Sequence, residues 1–140
     1  MDVTSSIVAD SNGDFYVFGT TGSSNFPTTA GAFDGTFSGG PNQNLTGCCF
    51  FPGDFVNGSD LFILKFSSGT MGLLNGTYVG GTGNDGINSG TMLNYNYGDV
   101  FRGEVNVDEL DRPWIATVTS STDFPMIQGP YPSYNGGTTD

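Results

Sequence analysis

Hydrophobic and polar positions along this 140-residue chain trace short extended segments separated by turns. Residues 2–9, DVTSSIVA, alternate weakly and carry the β-branched Val3, Thr4, Ile7 and Val8, which predicts a strand. Asp10-Ser11-Asn12-Gly13 has the chemistry of a tight turn: Asp and Asn bond their own backbone, and Gly tolerates positive φ. FYVFGT at 15–20 is the returning strand, so 2–20 reads as a β-hairpin. Gly19 and the Gly22–Asn25 run end that strand. Pro27 cannot donate to a ladder and marks an edge or a turn out of the sheet, with Phe26 as an apolar plug beside it. DLFILKF at 60–66 is the strongest strand. Leu61, Ile63 and Lys65 share one face and Phe62, Leu64 and Phe66 the other, as expected of a central strand packed on both sides. After the turn Ser67–Thr70, residues 72–79 form the next strand, with a break expected at Asn75-Gly76. Gly80–Gly86 is a glycine-rich loop, and GEVNV at 103–107 alternates again. Residues 28–40 read as a loop carrying Phe33 and Phe37. Two stretches lack a clear period and read as insertions: 41–59, rich in turn residues, and 85–102, polar and aromatic.

The organising feature is an internal repeat. Asp10–Pro27, DSNGDFYVFGTTGSSNFP, returns without a gap 98 residues later as Asp108–Pro125, DELDRPWIATVTSSTDFP. Thr21 matches Thr119, Ser23 matches Ser121, Phe26-Pro27 matches Phe124-Pro125, and Tyr16-Val17 becomes Trp114-Ile115. Gly31-Ala32-Phe33 returns as Gly129-Pro130-Tyr131, and Phe37–Gly40 as Tyr134–Gly137 after a one-residue deletion. Counting 15–20, 60–66, 72–79 and 103–107 gives four strands per period. Four antiparallel strands per repeat is the make-up of a β-propeller blade. The period is about twice that of an ordinary blade, and the two insertions supply most of the excess; two short blades per period is the other arrangement. The expected fold is therefore all-β. Residues 1–104 form one repeat with insertions at 41–59 and 85–102, and 105–140 open the next.

Composition agrees with strands and turns. Gly is 23 of 140, aromatics are 14 %, and helix formers are scarce, with two Glu and one Lys. The net charge of −11, with only three Lys+Arg, sets the chain against phosphate backbones and anionic lipid. No apolar run reaches the ~18 residues that span a bilayer. MDVTSSIVADSNG has neither the basic nor the apolar region of a signal peptide.

The segments DSNGDFYVFGTTGSSNFPTT, SDLFILKFSSGT and TYVGGTGNDG, in this order, resemble the SBBP-type β-propeller repeat. The resemblance covers most of 5–86 and restarts at 103–125. Ala116-Thr117-Val118 departs from it, as does Arg112-Pro113 in the second turn. The long spacing and NYNYGDVFRGEVNVD look like a variant in large surface proteins of gliding Bacteroidota that carry sorting domains for type 9 secretion; no such domain is present in this sequence. The resemblance implies an extracellular or cell-surface module for adhesion or protein–protein contact. It would be part of a larger secreted protein, or docked on an outer-membrane or secretion component. A lone repeat leaves unpaired edges and about three are needed for stability, so either a longer chain or a partner is expected to complete it.

Candidate chemistry is sparse. Asp10-x-Asn12-x-Asp14 matches the first half of a calcium loop, but Phe15 and Thr21 stand where an EF-hand needs Gly and Glu, and the second copy has Leu110 and Arg112. A hairpin turn is the favoured reading, and no metal or cofactor is assigned. Cys48 and Cys49 are adjacent. A disulfide between them is strained, and free thiols or bridges to other segments are the alternatives. Gly80-Gly81-Thr82-Gly83 lacks the Lys-Ser/Thr of a phosphate loop and reads as a tight crossing between strands. Asn44, Asn57 and Asn75 each open a glycosylation-type triplet, a match expected by chance in a bacterial chain. There is no His for a catalytic triad, and only Arg102 and Arg112 for a sialidase-like site. A carboxylate pair could be drawn from Asp54, Asp60, Asp85, Asp99 and Glu104, with a separation the sequence leaves open. No catalytic residue is assigned. Function is expected to sit in the insertions, where Tyr95, Tyr97 and Phe101 form a candidate interaction loop; the alternative is a carbohydrate-binding or glycan-hydrolysing propeller that stacks sugars on them.

Overall fold

The computed structural model describes residues 1–45, 53–88 and 100–126. They form antiparallel β-structure, with no helix among the described residues. None is therefore long and apolar enough to cross a membrane. The main sheet is an open four-stranded meander of β1 (Asp2–Ala9), β2 (Phe15–Thr21), β5 (Asp60–Phe66) and β6 (Leu73–Val79), in that spatial order. β3 (Gln43–Asn44) and β4 (Asp54–Phe55) pair as a small ribbon. A two-stranded sheet joins β7 (Gly103–Val107) to β8 (Pro113–Thr117).

The strand count of four per repeat is met with a change of membership. Residues 103–107 do not complete the first sheet; they pair with 113–117 and open a second one. The fourth strand of the first sheet is β1, which enters from the N-terminal side of the hairpin. β6 is continuous through Asn75-Gly76, and its irregularity lies one step earlier, where the pairing with β5 shifts register between Lys65 and Phe66. β5 is the central strand between β2 and β6, with Leu61, Phe62 and Leu64 all buried.

The two hairpins repeat at the level of individual hydrogen bonds. In the first turn Asp10 Oδ1 accepts from the backbone N–H of Asn12 (2.9 Å) and Asp14 (3.0 Å). In the second, Asp108 Oδ1 accepts from Leu110 (2.9 Å) and Arg112 (3.0 Å). Each turn also needs one residue at positive φ. Gly13 fills that position in the first (φ 81°), and Asp111, a residue type that tolerates this region, fills it in the second (φ 57°).

The two faces of the main sheet are covered by different parts of the chain, and on the Phe62 side the cover stops short of β1, where Ile7 is 66 % exposed. On one side Phe26 lies on Phe62, ring centroids 4.4 Å apart, and Phe37 approaches Tyr78. Phe26 is thus the apolar plug expected beside Pro27. The loop that carries it also closes the β6 edge: Thr29 N–H donates to Gly76 O, and Tyr78 N–H to Asp34 O. On the other side the second sheet packs face to face, with Val105 joining Tyr16, Phe18 and Leu61 in one buried core, flanked by Val107, Ile115 and Phe124. Gly103 sits where a Cβ would lie 2.4 Å from the Phe18 ring, so only glycine admits this approach.

A second core gathers parts of both insertions. Leu45, Phe55, Ile87, Val100 and Phe101 cluster there, with Met1 and Val3 against them. Phe55 and Phe101 lie 5.9 Å apart between ring centroids.

Phe18 is 1 % exposed at the centre of the contact between sheets. Phe18→Ala is expected to cost about 3–5 kcal/mol of stability in urea unfolding. Leu110→Ala, at a position 71 % exposed, should stay within about 0.5 kcal/mol of the native chain.

Candidate functional site

The most constructed polar feature is a carboxylate held by a Thr-x-Ser pair, and it occurs twice. In the second hairpin Ser121 N–H donates to Thr119 Oγ1 (2.9 Å), which fixes the pair locally. Both hydroxyls then donate to the buried Asp85: Thr119 Oγ1 to Oδ1, and Ser121 Oγ to both oxygens at 2.9 Å. Gly81 N–H adds a fourth bond, to Oδ2 at 2.9 Å. In the first hairpin Ser23 N–H donates to Thr21 Oγ1 (3.0 Å), and both hydroxyls donate to Asp2 Oδ1.

The backbone shows that Asp2 and Asp85 are equivalent. Gly22 N–H donates to Met1 O (2.8 Å), and Ser120 N–H, at the matching position, donates to Asn84 O (3.0 Å). Asp2 pairs with Thr21 across the strand, and Asp85 bridges Thr119 in the same antiparallel sense. Residues 84–87 therefore play the part of 1–4, and 103–107 that of the rest of β1. The second insertion enters between them, at the place where β1 has its bulge between Thr4 and Ser6. In the first unit the clamp closes within one sheet. In the second, Asp85 arrives from the loop that leaves β6, so the clamp ties one sheet to the next. The glycine-rich loop acts as the tight crossing its sequence predicts. Gly83 passes so close to Ser120 that a Cβ would meet its carbonyl oxygen at 2.6 Å, while Thr82 N–H donates to Asp123 Oδ1 and Gly83 N–H to Ser121 Oγ.

Asp60 is also fully buried. It accepts from Ser38 N–H (2.7 Å) and Gly39 N–H (2.9 Å) and anchors the 28–40 loop. Its carboxyl and that of Asp85 flank Gly80, whose Cβ, if present, would lie 2.7 Å from one and 2.9 Å from the other. Burial is the main cause that pushes Asp60 up to about 6, the Asp85 and Asp34 charges add to it, and the two backbone bonds oppose it. Burial likewise raises Asp85, against the bonds from Thr119, Gly81 and Ser121.

The sequence-derived candidates fall in several places. Asp10, Asn12 and Asp14 form the hairpin turn. Asp10 Oδ2 meets Lys65 Nζ at 2.6 Å; this contact, helped by the turn bonds, lowers Asp10, and the same contact, helped by Tyr16, raises Lys65, while Asp14 Oδ1 accepts from Ser68 N–H. No group of three or more His, Cys, Asp or Glu among the described residues is placed to hold a metal. Phe101 is not an exposed aromatic: it is 8 % exposed and packed in the core shared by the insertions. Cys48, Cys49, Tyr95, Tyr97 and Asp99, and the echo of 31–40 at 129–137, lie outside the described residues. Asp54 and Glu104 are exposed. The Asp2 and Asp85 clamps are absent from a reading of spacing alone, although the recurrence of Thr21-x-Ser23 as Thr119-x-Ser121 is their signature.

No family model matches the chain, and no curated protein or solved structure shows significant similarity to it.

Because Asp60 binds its proton more tightly in the fold than at its ordinary value of 3.8, its contribution favours the fold below about pH 4. That contribution is lost as pH rises through about 6. The lowered Asp10, Asp108 and Asp123 work in the opposite direction, below their ordinary value. The urea midpoint of the native chain should therefore fall between about pH 4 and pH 7 more steeply than that of Asp60→Asn. Equal slopes would show that Asp60 does not titrate in this range.

Proposed function

We propose that the chain is a non-enzymatic, propeller-type repeat module of a secreted or cell-surface protein, and that its work is protein–protein contact. The observation that carries this reading is the state of the two ends of the sheet stack. One sheet is already seated on the other through apolar faces, and the outward faces present apolar side chains to solvent. Ile7 is 66 % exposed on one, and Trp114 is 64 % exposed on the other. A large exposed aromatic on a flat strand face, rimmed by polar residues, is a common anchor of protein interfaces. The repeat, the four-stranded antiparallel unit and the resemblance to SBBP-type segments support the propeller and surface setting. The buried acids support a structural role: Asp60 and Asp85 are engaged by backbone N–H groups and hydroxyls of the chain itself.

Carbohydrate binding is the second reading, and one feature favours it. A cleft of about 450 Å3 beside the second sheet is lined by Tyr16, Phe33, Ile63, Lys65, Asn75 and Thr77, which combines ring faces with polar groups. Phe33, 56 % exposed, is its most accessible ring.

A glycan array probed with the native chain and with Phe33→Ala decides between the two. The protein-contact reading predicts no signal that depends on Phe33. Glycan binding abolished by Phe33→Ala would overturn it in favour of carbohydrate recognition. Release of the protein from intact cells by added protease would support the surface setting, and full protection would contradict it.

A further inference from the structure

Resting on the protein-contact reading above, we propose that the partner of the Ile7–Val17 face is the Trp114 face of a second copy of this chain, so that copies stack head to tail. The contact already exists once within the molecule. Val105 and Ile115, on one face of the second hairpin, pack against Tyr16, Phe18 and Leu61 of the first sheet. By the repeat, Ile7 and Val17 stand where Val105 and Ile115 stand, and Trp114 and Ala116 stand where Tyr16 and Phe18 stand. The first hairpin therefore carries an unused copy of the inserting face, and the second an unused copy of the receiving face.

Exposure follows this assignment at Ile7, Trp114 and Ala116, while Val17 and Ile115 are both half-buried. Val105 is 5 % exposed in its seated hairpin, whereas Ile7 is 66 % exposed. Tyr16 is 8 % exposed beneath the second sheet, whereas Trp114 is 64 % exposed. Beside Ile7 lies a groove of about 520 Å3 lined by Thr4, Ser5, Ser6 and Val17. Ala116, Glu104 and Asn106 share the Trp114 face and are all exposed. The surfaces that meet are different patches, so the interface is heterologous, and a stack of any length retains one free face of each kind, one at either end.

The contact between copies is weaker than the one within the chain, for two reasons on the sequence. Within the chain Asp111 accepts from Ser11 N–H (2.9 Å) and Ser11 Oγ (2.6 Å), and Tyr16 Oη donates to Asp111 O (2.9 Å). At the matching positions of the free faces stand Gly13, with no carboxylate, Glu109, with no hydroxyl, and Trp114, with no phenol. Each copy also carries a net charge of −11, which opposes association until salt screens it. Stacking should therefore be reversible, depend on concentration and strengthen with salt.

Analytical ultracentrifugation at high salt, on the native chain, Ile7→Asp and Trp114→Asp, tests this. Both positions are exposed, and unchanged circular dichroism and urea midpoints confirm that the variants fold. The native chain is expected to grow beyond the monomer mass with concentration, and each variant to associate less by tenfold or more. An equimolar mixture of the two variants should form a one-to-one pair and go no further, because only the Trp114 face of Ile7→Asp and the Ile7 face of Trp114→Asp remain intact. Trp114 is the single tryptophan, so in that mixture all indole emission comes from Ile7→Asp, and it should become shielded from a soluble quencher. A native chain that stays monomeric, variants that associate like the native chain, or a mixture that stays monomeric would each overturn the proposal. A monomeric native chain leaves the protein-contact reading standing, since the glycan array tests that separately.

Discussion

Asp85 takes hydrogen bonds from three donors on two separate segments, and the placement of the second sheet depends on them. Thr119 and Ser121 donate from the segment that follows β8, and Gly81 from the loop leaving the first sheet. A carboxylate removed from water and left without donors would cost several kcal/mol, so the donors and the acid must meet for either to be buried. Their meeting sets the distance and register at which the second sheet approaches. Gly83 and Gly103 permit that approach, because a side chain at either would strike Ser120 or the Phe18 ring. Burial of Val105 on Tyr16, Phe18 and Leu61 follows from the register. The clamp supplies direction and the apolar face supplies most of the energy.

Asp2 repeats the device one unit earlier. Its equivalence with Asp85 means that each unit opens with the same step: an acid captured by the Thr-x-Ser pair of its own hairpin. The step is the same whether the acid begins the chain's first strand or descends from the preceding sheet. The fold thus uses one local motif twice, within a sheet at Asp2 and between sheets at Asp85, without a helix among the described residues.

Much of this is legible in the sequence, and the limits have physical causes. The hairpins at 2–21 and 103–117 are local. Asp10 and Asp108 shape their turns through neighbours within four residues, so alternation and turn chemistry are enough to find them. The central position of DLFILKF is legible too, because apolar residues on both faces leave few other places for it. The membership of the first sheet is harder. Counting strands by period places 103–107 in it, while hydrogen bonding places β1 there, because the chain enters each unit one strand earlier than the clearest echo begins. The identity of Asp85 with Asp2 is hidden by an insertion that splits the equivalent of β1 at its bulge and changes the spacing. Phe101 is misplaced by the same limitation. An aromatic in a polar, turn-rich stretch looks exposed until its partners, Phe55 and Ile87, are brought in from elsewhere in the chain.

The claim that the Asp85 clamp governs docking between sheets is tested most directly by hydrogen exchange on Asp85→Ala. Loss of the acid should release the hairpin, so that amides across 103–117 exchange fast while those of β2 and β5 keep their protection. Retention of native protection across 103–117 in the variant would contradict the account.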